Sequence, residues 1–193
     1  MCFHRSPGSL GPLLGLIGVI VGWGLTFLTR RFEEKWFGAR LVIDGKDAPA
    51  NKDETADKAY MRFRVRNTTE RRVAKNCRAY IVELHKVSNG GQVVSENLLP
   101  DSFQLPFAGY DFEPRDIPAK VSQYVNIVSF SKNEPGWEFL TKPGFFESLK
   151  ALKEHQGTYR FTVVVAGDGA TPQTKQIDID YNGNWKNAVL YDA

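Results

Sequence analysis

Paired cysteine is what this chain most clearly lacks. It has two in 193 residues, Cys2 and Cys77. An apolar segment stands between them, so no bridge forms within the region that follows it. Such sparing use fits a reducing compartment. Catalytic signatures are missing too: the sequence has no GxSxG, no GxxxxGK[ST], no CxxC and no HExxH. Its three histidines, His4, His85 and His155, are widely separated, with no carboxylate at ligand spacing. Neither a zinc set nor a nucleophile with its base is spelled out, so no catalytic, cofactor-binding or metal residue is assigned. Gly167-Asp168-Gly169 and Asn182-Gly183-Asn184 hold oxygen donors, but turn chemistry accounts for them and calcium needs six or more oxygens.

Charge is missing from one long stretch, Ser6 to Thr29. Within it Leu10–Leu28 reads LGPLLGLIGVIVGWGLTFL. At about 1.5 Å per residue this run makes about 28 Å of helix, close to the ~30 Å hydrocarbon core of a bilayer. The basic region before it is only His4 and Arg5, and no small-x-small site follows closely, Ala48 and Ala50 lying too far on. An uncleaved anchor is expected rather than a cleaved signal. The resulting division is a tail at 1–8, a transmembrane helix at 9–29, a basic-aromatic juxtamembrane segment at 30–39 and a β domain at 40–193.

Arg30, Arg31, Lys35, Arg40 and Lys46 follow the span and Arg5 precedes it. That bias places the C-terminal domain on the cytoplasmic side. Trp23, Phe27, Phe32, Trp36 and Phe37 suit an aromatic belt at that interface. Gly11, Gly15, Gly18 and Gly22 share one helical face and form two GxxxG units, which let two helices approach closely. The span is therefore a candidate contact for a homodimer or another membrane helix.

The remaining residues suffice for one domain with its own core. Leu41-Val42-Ile43 suits a first strand, followed by a polar loop over 45–58. Met61, Phe63 and Val65 alternate with Arg62, Arg64 and Arg66, the signature of a half-buried strand. Cys77–His85 is a further strand; Ser88-Asn89-Gly90-Gly91 turns the chain, with a return over Gln92–Ser95. Pro100–Pro118 reads as loops with one short edge strand. Lys120–Ser131, Tyr159–Val165 and Lys175–Tyr181 are strands. Pro143–His155 switches to helical period through Phe145, Leu149 and Leu152. The expected fold is mainly β: about seven strands in a two-sheet sandwich, with a short helix before the penultimate strand.

Gly157-Thr158-Tyr159-Arg160-Phe161 resembles the tyrosine corner of immunoglobulin-like domains, with Tyr159 two residues before a core position. Phe161 stands where antibody domains have cysteine, and Phe63 or Val65 takes the matching place, so packing replaces the bridge. No Trp lies in Cys77–His85. With the anchor, the layout resembles single-pass membrane proteins carrying one immunoglobulin-like sandwich. The resemblance implies no activity.

Acids are scarce from Arg62 to Arg78, where Glu70 is the only one. Arg62, Arg64, Arg66, Arg71, Arg72 and Lys75, with Arg78, form a candidate surface for an anionic partner, the acidic leaflet being nearest. Nucleic acid is disfavoured because few aromatics interleave. The competing reading is a solvated strand face paired with neighbouring acids. Asn67-Thr68-Thr69 is a glycosylation sequon in an expected turn. The leading functional expectation is a membrane-anchored, non-enzymatic module that binds another protein. The alternatives are an exported envelope domain, structural or adhesive, and, third, an enzyme or metal-dependent factor.

Overall fold

The computed structural model describes residues 26, 38–45, 52–55, 57–109, 112–133, 136–140 and 156–193. The chain divides into two units, Met1–Gly38 and Ala39–Ala193. Of the first, only Thr26, which is helical, and Gly38 are described. The predicted span at 9–29, with its Gly11, Gly15, Gly18 and Gly22 face, therefore lies outside the described residues apart from Thr26. Among the described residues no helix is long and apolar enough to cross a membrane.

The second unit is mainly β. Among the described residues its strands are β1 (Leu41–Asp44), β2 (Lys52–Glu54), β3 (Lys58–Asn67), β4 (Ala74–Val87), β5 (Phe103–Leu105), β6 (Arg115–Ile117), β7 (Ser122–Ser131), β8 (Trp137–Phe139), β9 (Gly157–Asp168), β10 (Ala170–Tyr181) and β11 (Val189–Asp192). A 3-10 turn at Trp185–Asn187 is capped by Asn184, whose side chain accepts from the Lys186 amide. The first sheet runs β1-β3-β7-β8, with β2 also on β3. The second runs β11-β10-β9-β4-β5, with β6 also on β4. All strand pairs are antiparallel.

Two-residue periodicity decides which face each strand buries. Met61, Phe63 and Val65 of β3 enter the core, as do Tyr159, Phe161, Val163 and Val165 of β9, and Ile177, Ile179 and Tyr181 of β10. In β4 the inward set is Cys77, Ala79 and Ile81, then Leu84. A register shift between Ile81 and Glu83 absorbs the extra residue and keeps Leu84 inside. β8 carries a buried tryptophan. Trp137 meets Tyr159 edge-on at 5.4 Å and Phe161 at 6.2 Å, geometry that aromatic pairs favour.

Both lateral corners are made by chain that switches sheets. Ala39 bridges in parallel to Ala170 of β10, and two residues later β1 joins β3. On the other side β5 pairs with β4, and the next residues cross over: the Asn126 amide donates to the Pro106 carbonyl and the Ala108 amide to the Tyr124 carbonyl.

Several expectations are corrected. The polar loop at 45–58 contains β2, which continues the line of β1 along the same edge of β3. Gln92–Ser95 is no strand. It makes one bridge, Val87 with Val93, and covers β4 with a mixture of backbone and side-chain bonds: the Val94 amide donates to the Lys86 carbonyl, while Ser95 Oγ accepts from the Lys86 amide and Asn97 Oδ1 from the Leu84 amide. Pro100–Pro118 holds two short strands rather than one. Because β11 follows β10, the strand read as penultimate is third from last. The helix expected at 143–155 lies outside the described residues.

Candidate functional site

The arginines read as one surface separate in space. Arg62, Arg64 and Arg66 project from the outer face of the first sheet and are occupied there. Arg64 donates through Nε to Asp44 at 3.2 Å, and its Nη2 lies 3.1 Å from the same oxygen. Arg66 Nε lies 3.6 Å from that oxygen. Arg62 stacks over the Tyr124 ring at 4.4 Å. These contacts match the reading of a paired strand face. Arg71, Arg72 and Lys75 lie beyond the end of β3, exposed, where the chain turns into β4.

That turn is organised by Asn67, the sequon residue. Its side chain is buried and donates to the carbonyls of Arg72 at 2.7 Å and Ile117 at 2.9 Å. Its Oδ1 accepts from the Thr69 amide and hydroxyl. Both amide hydrogens are used in the fold.

A second polar surface was missed by the sequence reading. On the outer face of the second sheet, strand register aligns His85 with Arg160, Arg160 with Asp178, and Asp178 with Tyr191. Arg160 donates to both Asp178 oxygens at 2.8 Å. The pair is nearly withdrawn from water, with side chains 17% and 4% exposed. The bonds and charge of Asp178 hold the Arg160 guanidinium protonated beyond its usual range. Burial pushes the Tyr191 hydroxyl up. Beside the row, Thr162 donates to Glu83 at 3.0 Å, and His85 Nδ1 lies 3.2 Å from the Ser95 carbonyl. Because Asp178 spends both oxygens on Arg160, the row is suited to presenting a fixed charge pattern rather than to proton transfer.

Cys77 is buried, with Sγ 3.4 Å from the Ala74 carbonyl. Burial, then the charges of Asp116 and Asp168, push its thiol up to about 11, which suits packing better than nucleophilic attack. Asp168 sits at the β9–β10 turn, away from the polar row; His155 lies outside the described residues. Among the described residues, no group of three His, Cys, Asp or Glu side chains is placed to hold a metal. Tyr159 is core, its hydroxyl pushed up by burial. The segment read as a tyrosine corner, Gly157–Phe161, forms the start of β9, and the residues before it at 141–155 lie outside the described residues. No protein-family model matches this chain, and no curated protein and no solved structure matches it either.

Proposed function

We propose that this chain is a membrane-anchored, non-enzymatic interaction module whose immunoglobulin-like sandwich binds another protein. In that layout β1, β3 and β7 correspond to strands A, B and E, and β4, β9 and β10 to C, F and G. The observation that carries the reading is the row His85–Arg160–Asp178–Tyr191. The nearly buried Arg160–Asp178 pair holds this sheet face in one geometry, so the exposed side chains beside it, such as Thr174 and Asp180, pay little ordering entropy on binding. The anchor at 9–29 raises the domain's effective concentration near membrane partners.

Photo-crosslinking from Thr174, exposed on β10, in native membranes tests this. The expected result is one dominant adduct that disappears in Arg160→Glu/Asp178→Arg, which keeps the pair but reverses its direction. A folded, anchored chain with no adduct above background would overturn it. External labelling of Thr174→Cys, in a Cys2→Ser background, in intact cells would replace the cytoplasmic placement with the exported one.

A further inference from the structure

We propose that the end of the sandwich where Ala39 joins it is a docking surface for an anionic lipid bilayer. The proposal rests on the anchored reading of 9–29.

Hydrogen bonds gather this end from five segments. The Ala39 amide donates to the Gly169 carbonyl at 2.8 Å, and the Thr68 amide to the Arg40 carbonyl at 2.8 Å. Asn67 donates to Arg72 and accepts from the Lys120 amide, while its own amide donates to Val121. Lys75 pairs in register with Asp168. Arg40, Arg71, Arg72 and Lys75 are therefore displayed together, all exposed. Among the described residues, none of these four makes an ion pair. Three acids share this end, fewer than its cations, and the two aspartates keep their charge. Glu70 lies 3.3 Å from Lys120 Nζ, Asp116 accepts from the Asn76 amide and Asp168 from the Asn76 side chain.

Two apolar side chains stand among these cations. Val73 is 42% and Val121 38% exposed. Basic residues mixed with exposed valine suit the boundary between headgroups and acyl chains. No aromatic ring occurs over 67–76, 115–122 or 166–171, so a base-stacking platform for nucleic acid is missing there.

Chain length argues for the same occupant. Residues 29–38, including Arg30, Arg31 and Lys35, separate Leu28 from Ala39. Ten residues span at most about 36 Å, a length that keeps the domain within reach of the bilayer in the anchored reading. The basic flank also selects the leaflet rich in acidic lipid.

The test uses the full chain, reconstituted into vesicles of phosphatidylcholine alone or mixed with phosphatidylglycerol. An environment-sensitive fluorophore is placed at Val73→Cys in a Cys2→Ser background, Cys77 being buried. A blue shift is expected in the acidic vesicles only. It should be reversed by added salt and lost in Arg71→Glu/Arg72→Glu/Lys75→Glu. The neutral set Arg71→Gln/Arg72→Gln/Lys75→Gln should reduce it without charge repulsion. Alkaline carbonate extraction reads the anchor separately. Retained protein with equal emission in both lipids overturns the docking surface and leaves the anchor standing. Extracted protein overturns the anchored reading, and the docking surface then stands or falls on whether the acidic-lipid shift persists. An equal shift caused by RNA or an acidic polypeptide in neutral vesicles overturns the lipid assignment.

Discussion

The side-chain amide of Asn67 donates to the Ile117 carbonyl at 2.9 Å, tying the end of β3 to β6. A second bond to the Arg72 carbonyl and two accepted from Thr69 complete the hub. Asn67→Ala deletes all four and removes the side-chain donor from the buried Ile117 carbonyl, while the Arg72 carbonyl keeps the Thr69 hydroxyl, so a loss of about 2–3 kcal/mol is expected. Urea denaturation of both proteins measures it.

Arg160 and Asp178 make a different kind of prediction. Arg160→Ala leaves a carboxylate with 4% exposure unpaired, for a cost of about 3–5 kcal/mol. Arg160→Met/Asp178→Leu removes both charges and fills the space with apolar atoms, and should fall within about 1–2 kcal/mol of the parent. A double-mutant cycle in guanidinium chloride decides. A single-variant loss under about 1 kcal/mol would mean the pair behaves as a solvated surface bridge.

The legible elements were those with long alternation. Met61, Phe63 and Val65 announce β3, and Ile177, Ile179 and Tyr181 announce β10. Trp137–Phe139 and Phe103–Leu105 are three residues each, too short for period two to be distinguished from a loop. The β4 shift between Ile81 and Glu83 carries no local signal, because it depends on β9. For the surfaces, sequence shows that Arg64 points outward but not that Asp44 waits across β1. Likewise, no spacing rule brings His85, Arg160, Asp178 and Tyr191 into one row. That takes three strand registers, each set by core packing on the opposite face.

Cys77 links stability to alkaline pH. Its thiol titrates at 9.0 when unperturbed and at about 11 in the fold. Between these values the unfolded chain has lost a proton that the folded chain keeps, so unfolding releases one. The Cys77 contribution is full below pH 9, then falls by about 1.4 kcal/mol per unit until pH reaches about 11. Tyr159 and Tyr191 shift in the same direction. The comparison is therefore between the parent and Cys77→Ala, whose urea midpoints should fall less steeply over that window. In a Cys2→Ser background, iodoacetamide at neutral pH should label Cys77 only after denaturation.

The two glycines that flank Asp168 should respond differently. A Cβ on Gly167 would lie 2.7 Å from Cys77 Sγ and 2.9 Å from the Lys75 carbonyl oxygen. Gly167→Ala therefore forces β4 and β9 apart, at about 1–3 kcal/mol. Cys77→Ala in the same chain should recover only part of this, since the carbonyl does not move away. Gly169 has open space around a Cβ but a φ of +67°. Gly169→Ala should cost about 1 kcal/mol through backbone strain alone. Thermal melts of the three variants separate steric from conformational cost.

The apolar segment carries the last prediction. In the proposed span, Gly11, Gly15, Gly18 and Gly22 would share one helical face, where missing side chains permit close backbone contact. Gly15→Leu/Gly22→Leu puts bulk on that face while adding hydrophobicity, so insertion is preserved or strengthened. Gly24→Leu, on another face, is the control. If the face mediates association, crosslinking of the full chain in membranes should fall sharply for the double variant and stay unchanged for the control. Equal crosslinking in all three would assign these glycines to lipid-facing filler and leave recognition to the sandwich alone.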